Sequence, residues 1–390
     1  MIRKMTLWMI FLAFLLTTYA CFHTGKRIWF TGLARRHYDK GITLRKKNQI
    51  DRALSEYLLA AYFDPDFTKA QYALAFTFSE MGFLEKALSE YKRILRKDPD
   101  YIVCYKRIGD IYFYQKRFDE AIISYKEFIK RNPTDSRIYY DLGYAYSQKG
   151  DLDHAIASYQ KAILMNPSWV RSYQSLGNIL IQRGEYLKAI LMYQQALEMD
   201  DQNLDIRRSL GLAYYLAQEL DKAELEYQKV LQKNPNCDAS HKMLGDIHFK
   251  KGELEKSIQA YQKSIKFQSR QSDIYAKMAN IYSQQGRLDE AISEFKNLLS
   301  ANPDDAEAHY CLGVLYGQKN MFEESIYECK RALDIDPNNA KSHYTLAVSY
   351  FYSNRFDSAW QHLKNARELH YEISPEFLEK LKRVRPFTMP

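Results

Sequence analysis

The chain has 390 residues, 46% of them hydrophobic, and carries 56 Lys and Arg against 48 Asp and Glu for a formal net charge of +8. The excess is confined to the first 50 residues, where ten basic side chains face the single acid Asp39; the remainder holds 46 basic and 47 acidic residues, which argues against a nucleic-acid-binding surface and for a basic segment at a membrane. Its five cysteines form no CxxC pair and no even framework, which excludes disulfide scaffolds and zinc ribbons as the organising principle.

In chain order, the first feature is the uncharged run MTLWMIFLAFLLTTYACF, residues 5–22, with Arg3 and Lys4 before it and Lys26 and Arg27 after it. Its length lies between that of a short transmembrane helix and a signal peptide. Trp8 and Trp29 sit near its two ends, as interfacial aromatics do. Three readings stay open: an uncleaved single-pass anchor, a secretory signal cut after Thr18 and Ala20, and a lipoprotein signal with Cys21 as the lipid acceptor. Positive charge counted on either side places the rest of the chain in the cytoplasm; a periplasmic or cell-envelope location is the alternative.

After the run, the chain repeats with a period of 34 residues. Pro65, Pro99, Pro133, Pro167, Pro235, Pro303 and Pro337 keep this spacing or a multiple of it. One glycine column holds Gly41, Gly109, Gly143, Gly177, Gly211, Gly245 and Gly313; a second holds Gly82, Gly150, Gly184, Gly252 and Gly286. The spacing predicts two helices per unit. In helix A the first glycine lets the next helix approach closely. The second glycine falls where helix A must turn in a left-handed cap. Helix B carries a small residue (Ala53, Ala87, Ala121, Ala155, Ala189, Ala223, Ala291) and, four residues on, a tyrosine (Tyr57, Tyr91, Tyr125, Tyr159, Tyr193, Tyr227, and Tyr261 in the unit with Ser257), so both share one face. Asn-Pro or Asp-Pro ends it. Asp201, Ser269 and Tyr371 interrupt the proline column, and softer joints or longer helices are expected there. The tail SPEFLEKLKRVRPFTMP, residues 374–390, predicts a capping helix with Ser374 as its cap, Pro375 in its first turn, and Phe377, Leu378, Leu381 and Val384 as a stripe over the last repeat.

The unit SRIYYDLGYAYSQKGDLDHAIASYQKAILMNPSW, residues 136–169, resembles the tetratricopeptide repeat. Ten units fit one register, starting at Ala34, Thr68, Ile102, Ser136, Val170, Leu204, Asp238, Ser272, Ala306 and Ala340. The resemblance implies an all-α, right-handed α-solenoid of about ten helix-turn-helix units with a C-terminal capping helix and an N-terminal hydrophobic anchor. The expected domains are 1–33 for the anchor and basic segment, 34–373 for the repeats and 374–390 for the cap.

The resemblance further implies a binding protein whose A helices line a concave groove for a peptide or helix, with specificity set by side chains outside the packing columns. In this chain these are Tyr72, Phe76, Lys106, Asp110, Phe113, Tyr114, Arg137, Tyr140, Tyr144, Arg171, Gln174 and Asn178, followed by Arg208, Tyr215, Lys242, Asp246, Phe249, Lys277 and Asn280. The clamp that holds chaperone C-termini in this family needs Lys and Asn, then Asn, then Lys and Arg on three successive A helices; Lys106 is followed by Asp110, and Gln174 with Asn178 by Ser209, so it is not formed. Asn178 and Asn280 are too few for the asparagine ladder of the family's glycosyltransferase member. No nucleophile with a base, phosphate loop or metal cluster breaks the repeat pattern, because His241, His248, His309 and His343 fall in packing columns. The expectation is a non-enzymatic scaffold, without cofactor or metal, that binds other proteins at a membrane and is able to self-associate. An exported or lipidated envelope protein that assists assembly of surface complexes is the alternative.

Overall fold

A computed structural model describes residues 29–267 and 272–385. The run at 5–22, its three readings, Cys21 and the turn at Ser269 lie outside these residues. Among the described residues there are 21 helices and no strand, and no helix is long and apolar enough to cross a membrane.

Two compact units divide between Asp201 and Gln202. The first contains five hairpins: α1 (29–46) with α2 (Ile50–Phe63), α3 (Thr68–Glu80) with α4 (Leu84–Lys97), α5 (Val103–Tyr114) with α6 (Phe118–Arg131), α7 (Ser136–Lys149) with α8 (Leu152–Met165), and α9 (Val170–Gln182) with α10 (Tyr186–Met199). The second contains α11 (Leu204–Leu216) with α12 (Leu220–Lys233), α13 (Asp238–Lys250) with α14 (Leu254–Phe267), α15 (Ser272–Gln284) with α16 (Leu288–Ala301), α17 (Ala306–Gln318) with α18 (Phe322–Ile335), and α19 (Ala340–Tyr352) with α20 (Phe356–Glu368), followed by α21 (Pro375–Val384).

The hairpins are closed by the two glycine columns and the tyrosine column, and all three are present together in the fourth, fifth and seventh repeats. A Cβ on Gly177 would stand 2.6 Å from the Tyr193 ring, and one on Gly211 2.9 Å from Tyr227, so the missing side chain is the space that the tyrosine fills. The small residue one turn before each tyrosine is fully buried, including Ser257, whose hydroxyl donates to the Gly245 carbonyl at 2.8 Å. At the turn after helix A the backbone is left-handed in all ten hairpins. Gly82, Gly150, Gly184, Gly252 and Gly286 take it freely; Asn48, Lys116, Gln218, Asn320 and Asn354 take it at φ of 58–63°.

The proline column proves dispensable for ending helix B. At Asp201, where the proline is missing, α10 stops at Met199 and Asp200 adopts φ −142°, ψ 81°, close to φ −136°, ψ 80° at Asn132 before Pro133. The expected lengthening does not occur, because the capping geometry is reproduced without the ring. In the last hairpin, α20 is 13 residues rather than 14 and ends ahead of a left-handed His370. Ser374 accepts from the Phe377 N–H and starts α21, which buries Phe377 and Leu381 against the final hairpin. Val384, expected in the same stripe, is exposed beyond the edge of that contact.

Candidate functional site

The A-helix residues outside the packing columns separate into rings that face outward and charges that are already paired. In the first unit the rings form a chain of contacts. Phe113 lies 5.0 Å from Tyr144, Tyr144 stacks 6.5 Å from Tyr140, and Tyr140 meets Trp169 at 4.9 Å. Tyr144 keeps 43% of its surface exposed, so the row is supported from behind and open in front. One repeat earlier, Tyr72 stacks on Phe76 and meets Tyr101 at a tilt, and its hydroxyl accepts from Arg107 Nε at 3.2 Å. The guanidinium groups of Arg45 and Arg107 lie 4.4 and 4.8 Å from the Phe76 centroid. Tyr114 is largely exposed next to this row.

Trp169, Tyr101, Arg45 and Arg107 contact the expected lining residues and were missed by sequence reasoning. The signal was present. The position before helix A holds Asp135, Asn203, Asp305 and Asn339 in four repeats, and each caps its helix through the side chain. Phe67, Tyr101 and Trp169 occupy the same position with no side-chain cap, and each packs on the tyrosine at the fifth position of the preceding repeat: Tyr38, Tyr72 and Tyr140. These three repeats exchange a helix cap for a wall of rings.

The polar members of the expected lining are mostly consumed within the fold. Lys106 bridges Asp110 at 3.1 Å and Asp141 at 2.5 Å. Burial pulls the Lys106 ammonium down, but the two carboxylates outweigh it and hold the group above its usual range. Burial lifts the Asp141 carboxyl above its ordinary value, with Lys106 opposing. The tyrosines of the packing column need acceptors for their hydroxyls, and Asp110, Asn178 and Asp246 supply them to Tyr125, Tyr193 and Tyr261 at 3.1, 2.7 and 2.6 Å. Asn178 is therefore a support of the core that also touches solvent. Arg171 is exposed, and so is Arg137.

In the second unit the lining is less aromatic. Tyr215 carries the Lys250 ammonium 4.1 Å from its ring centroid, and Phe249 is partly exposed. Arg208 pairs with Asp205 at 2.7 Å, Lys242 with Asp273 at 2.7 Å, and Lys277 with Asp246. Asn280 lines a shallow recess with Tyr310, Cys311 and Gln318.

The histidines are held by packing and by local partners. His241 stacks on Phe267 and bonds the Pro235 carbonyl at 2.9 Å; His248 meets Glu253 at 2.7 Å and His309 meets Glu328 at 2.6 Å. Burial pushes the thiols of Cys104, Cys311 and Cys329 up to about 12, which keeps them from acting as nucleophiles near neutrality.

Comparison with known proteins gives a consistent result. Models of the tetratricopeptide repeat match residues 109–150, 177–218, 245–286 and 279–320, as well as 136–168 and 306–339. No curated protein matches the sequence. Among solved structures, the chain is similar to MamA, with 27% identity over 43% of this chain and 92% of that one and a TM-score of 0.42. It is also similar to a tetratricopeptide repeat protein from Parabacteroides merdae ATCC 43184, with 19% identity over 64% and 98% of the two chains and a TM-score of 0.45. Pseudomonas aeruginosa pilF is a third, with 20% identity over 53% and 94% and a TM-score of 0.44.

Proposed function

Taking as premise that the chain is a tetratricopeptide-repeat protein, a class that generally mediates protein–protein interactions, we propose that it is a membrane-tethered scaffold whose A-helix face binds peptide or helical segments of partner proteins. The observation that carries this reading is the row Phe113, Tyr144, Tyr140 and Trp169. Its rings brace one another yet leave Tyr144 open to solvent, so a ligand meets apolar surface that is already ordered. Tyr72, Phe76 and Arg171 extend the surface in the first unit, with Lys106 and Asn178 as its fixed polar edge. Arg208, Tyr215, Phe249 and Asn280 form the corresponding face of the second unit.

A peptide-display selection against the full-length protein, followed by affinity measurement on the recovered peptides, tests it. Phe113→Ala and Tyr144→Ala are expected to weaken binding roughly tenfold or more, the size of a central aromatic contact. Ile123→Ala, on an exposed face of helix B, serves as the control. Peptides that bind equally well to all three variants would remove the aromatic row from the binding surface. The tether is tested separately by the intact mass of membrane-extracted protein, where retention of residues 1–22 supports an anchor and their loss, or a lipid on Cys21, favours the exported alternative.

A further inference from the structure

Helix B of the first repeat differs from that of every other repeat on its outer face. Leu58 and Leu59 occupy positions held elsewhere by Lys, Gln, Arg, Glu or Asn, without exception in the other nine units. Tyr62, three residues on, stands where eight of the other nine units carry a polar residue and one carries Leu164. All three are exposed, Tyr62 by 77%, and they line an open groove of about 900 Å³ beside Glu90 and Arg93 of α4. The face continues at the start of α1. Phe63 stacks on Phe30 at 6.1 Å and meets Tyr62 at 5.5 Å; Phe30 in turn meets Trp29, which is 64% exposed, at 5.2 Å. Leu58, Leu59, Tyr62, Phe30 and Trp29 thus form a single apolar edge.

We propose that this edge lies on the surface of a bilayer containing anionic lipid, so that the first repeat is a second membrane contact in addition to the apolar run at 5–22. The inference rests on the tethered reading above. Two observations select a lipid surface as the occupant. The first is charge: Arg35, Arg36, Lys46, Lys47 and Arg52 of the same repeat are exposed and make no ion pair among the described residues, and Arg52 stands two turns before Leu59 on the same helix. A second copy would bring the same unpaired positive charge to the first repeat, whereas phosphate headgroups neutralise it. The second is reach. Only six residues separate Phe22, the last of the apolar run, from Trp29. Even fully extended, that step covers no more than about 25 Å, so a run inserted in the bilayer holds the edge within a headgroup layer's neighbourhood and docking becomes an intramolecular event. Aromatic and leucine side chains with flanking arginines are the residue set that settles at such an interface.

The test uses the full-length protein in vesicles of phosphatidylcholine and phosphatidylglycerol whose acyl chains are brominated near the headgroup. In a Trp8→Phe/Trp29→Phe parent, tryptophan is introduced by Tyr62→Trp or, at the same position of the third repeat, by Lys130→Trp. The emission added at 62 is expected to be quenched by roughly half, and that at 130 left unchanged, since an interfacial face sinks only to the acyl boundary. Adding Leu58→Gln and Leu59→Lys, residue types that other repeats carry at these positions without loss of fold, should abolish quenching at 62 while the protein still floats with the vesicles. Flotation with no quenching at 62 would overturn the docking and leave the tether standing. Absence of flotation would overturn both. Emission at 62 that is shielded from aqueous iodide but untouched by brominated lipid would assign the edge to a second protein chain and refute the lipid.

Discussion

The substitution His362→Glu isolates a pH response located in the last hairpin. The fourth position of helix A faces the twenty-third position of the repeat in a recurring pair: His37 with Glu56 and His309 with Glu328 at 2.6 Å, and Arg207 with Glu226 at 2.8 Å. In the last repeat the acid is replaced, and His343 Nδ1 meets His362 Nδ1 at 2.9 Å. Only one proton fits between the two nitrogens. Burial, then His343, then Lys330 hold the His362 imidazole down to about 4 from its usual 6.5, and burial lowers His343 as well, with the Pro337 carbonyl opposing. Tyr350, stacked 5.5 Å from the His362 ring, completes its surroundings. The unfolded chain therefore takes up a proton below pH 6.5 that the folded chain refuses until about 4. Stability is complete above pH 6.5 and falls as the pH drops through this window, by about 2 kcal/mol at pH 5, and by less to the extent that water reaches the half-buried ring. Hydrogen exchange of amides in 340–384, corrected for intrinsic rates, reads this locally, as suits a stack whose repeats open separately. Protection in the parent is expected to fall up to roughly thirtyfold between pH 7.5 and pH 5. With Glu at 362, a protonated His343 gains a carboxylate partner, and protection should be maintained or rise at pH 5. Equal losses in both proteins, or none in the parent, would refute the reasoning.

Gly177→Ala should destabilise the fifth hairpin by about 1–2 kcal/mol, because Tyr193 must move from a fully buried site and from its 2.7 Å bond to Asn178, while the gain in helix propensity offsets only part; exchange of amides in 170–199 measures it. Lys116→Gly, at φ 60°, should stabilise the third hairpin by about 0.5–1 kcal/mol, detectable by the same method in 102–131, since a left-handed lysine is strained and a glycine is not. Trp169→Asp should leave stability within about 1 kcal/mol, a restored cap on α9 compensating for the lost contact with Tyr140, yet weaken peptide binding roughly tenfold. A fall in stability without a change in affinity would show that Trp169 is a packing residue only.

The helices could be read from the sequence because their boundaries are written twice, in glycine and in proline. Where one mark is missing the other, or the backbone itself, supplies the same geometry. Asp200 ends α10 without proline, and Lys116 and Gln218 turn left-handed without glycine, because packing of the hairpin over-determines those torsions. Of the residues expected in the lining, several rings are exposed as the sequence suggests, while the internal pairing of the charges could not be read from it. Lys106, Asp110 and Asn178 look unassigned in a single repeat, and their employment appears only when Tyr125 and Tyr193 are folded back over the preceding helix and require a hydrogen-bond acceptor. Trp169 escaped for the opposite reason. It stands in a capping position, where an aromatic residue looks like a missing signal until its contact with Tyr140 is seen.

In an array of this kind the columns that agree between repeats build the fold, so individuality must be sought where one repeat departs from the rest. Two sets of departures stand together in the first unit. Rings replace caps at Phe67, Tyr101 and Trp169, all within the first unit, and apolar residues replace solvated ones at Leu58, Leu59 and Tyr62 of the first repeat. Each departure gives up something local, a cap hydrogen bond worth about 1 kcal/mol or the hydration of an exposed face, and no contact within its own hairpin requires the exchange. The rings recover part of this in their contacts with Tyr38, Tyr72 and Tyr140 of the preceding repeat, and for the exposed Leu58, Leu59 and Tyr62 the proposed membrane contact is the compensation. The two sets lie on different helices, the rings on and before the A helices and the leucines on a B helix, so one end of the first unit can face a membrane while its A-helix face remains free for a protein ligand.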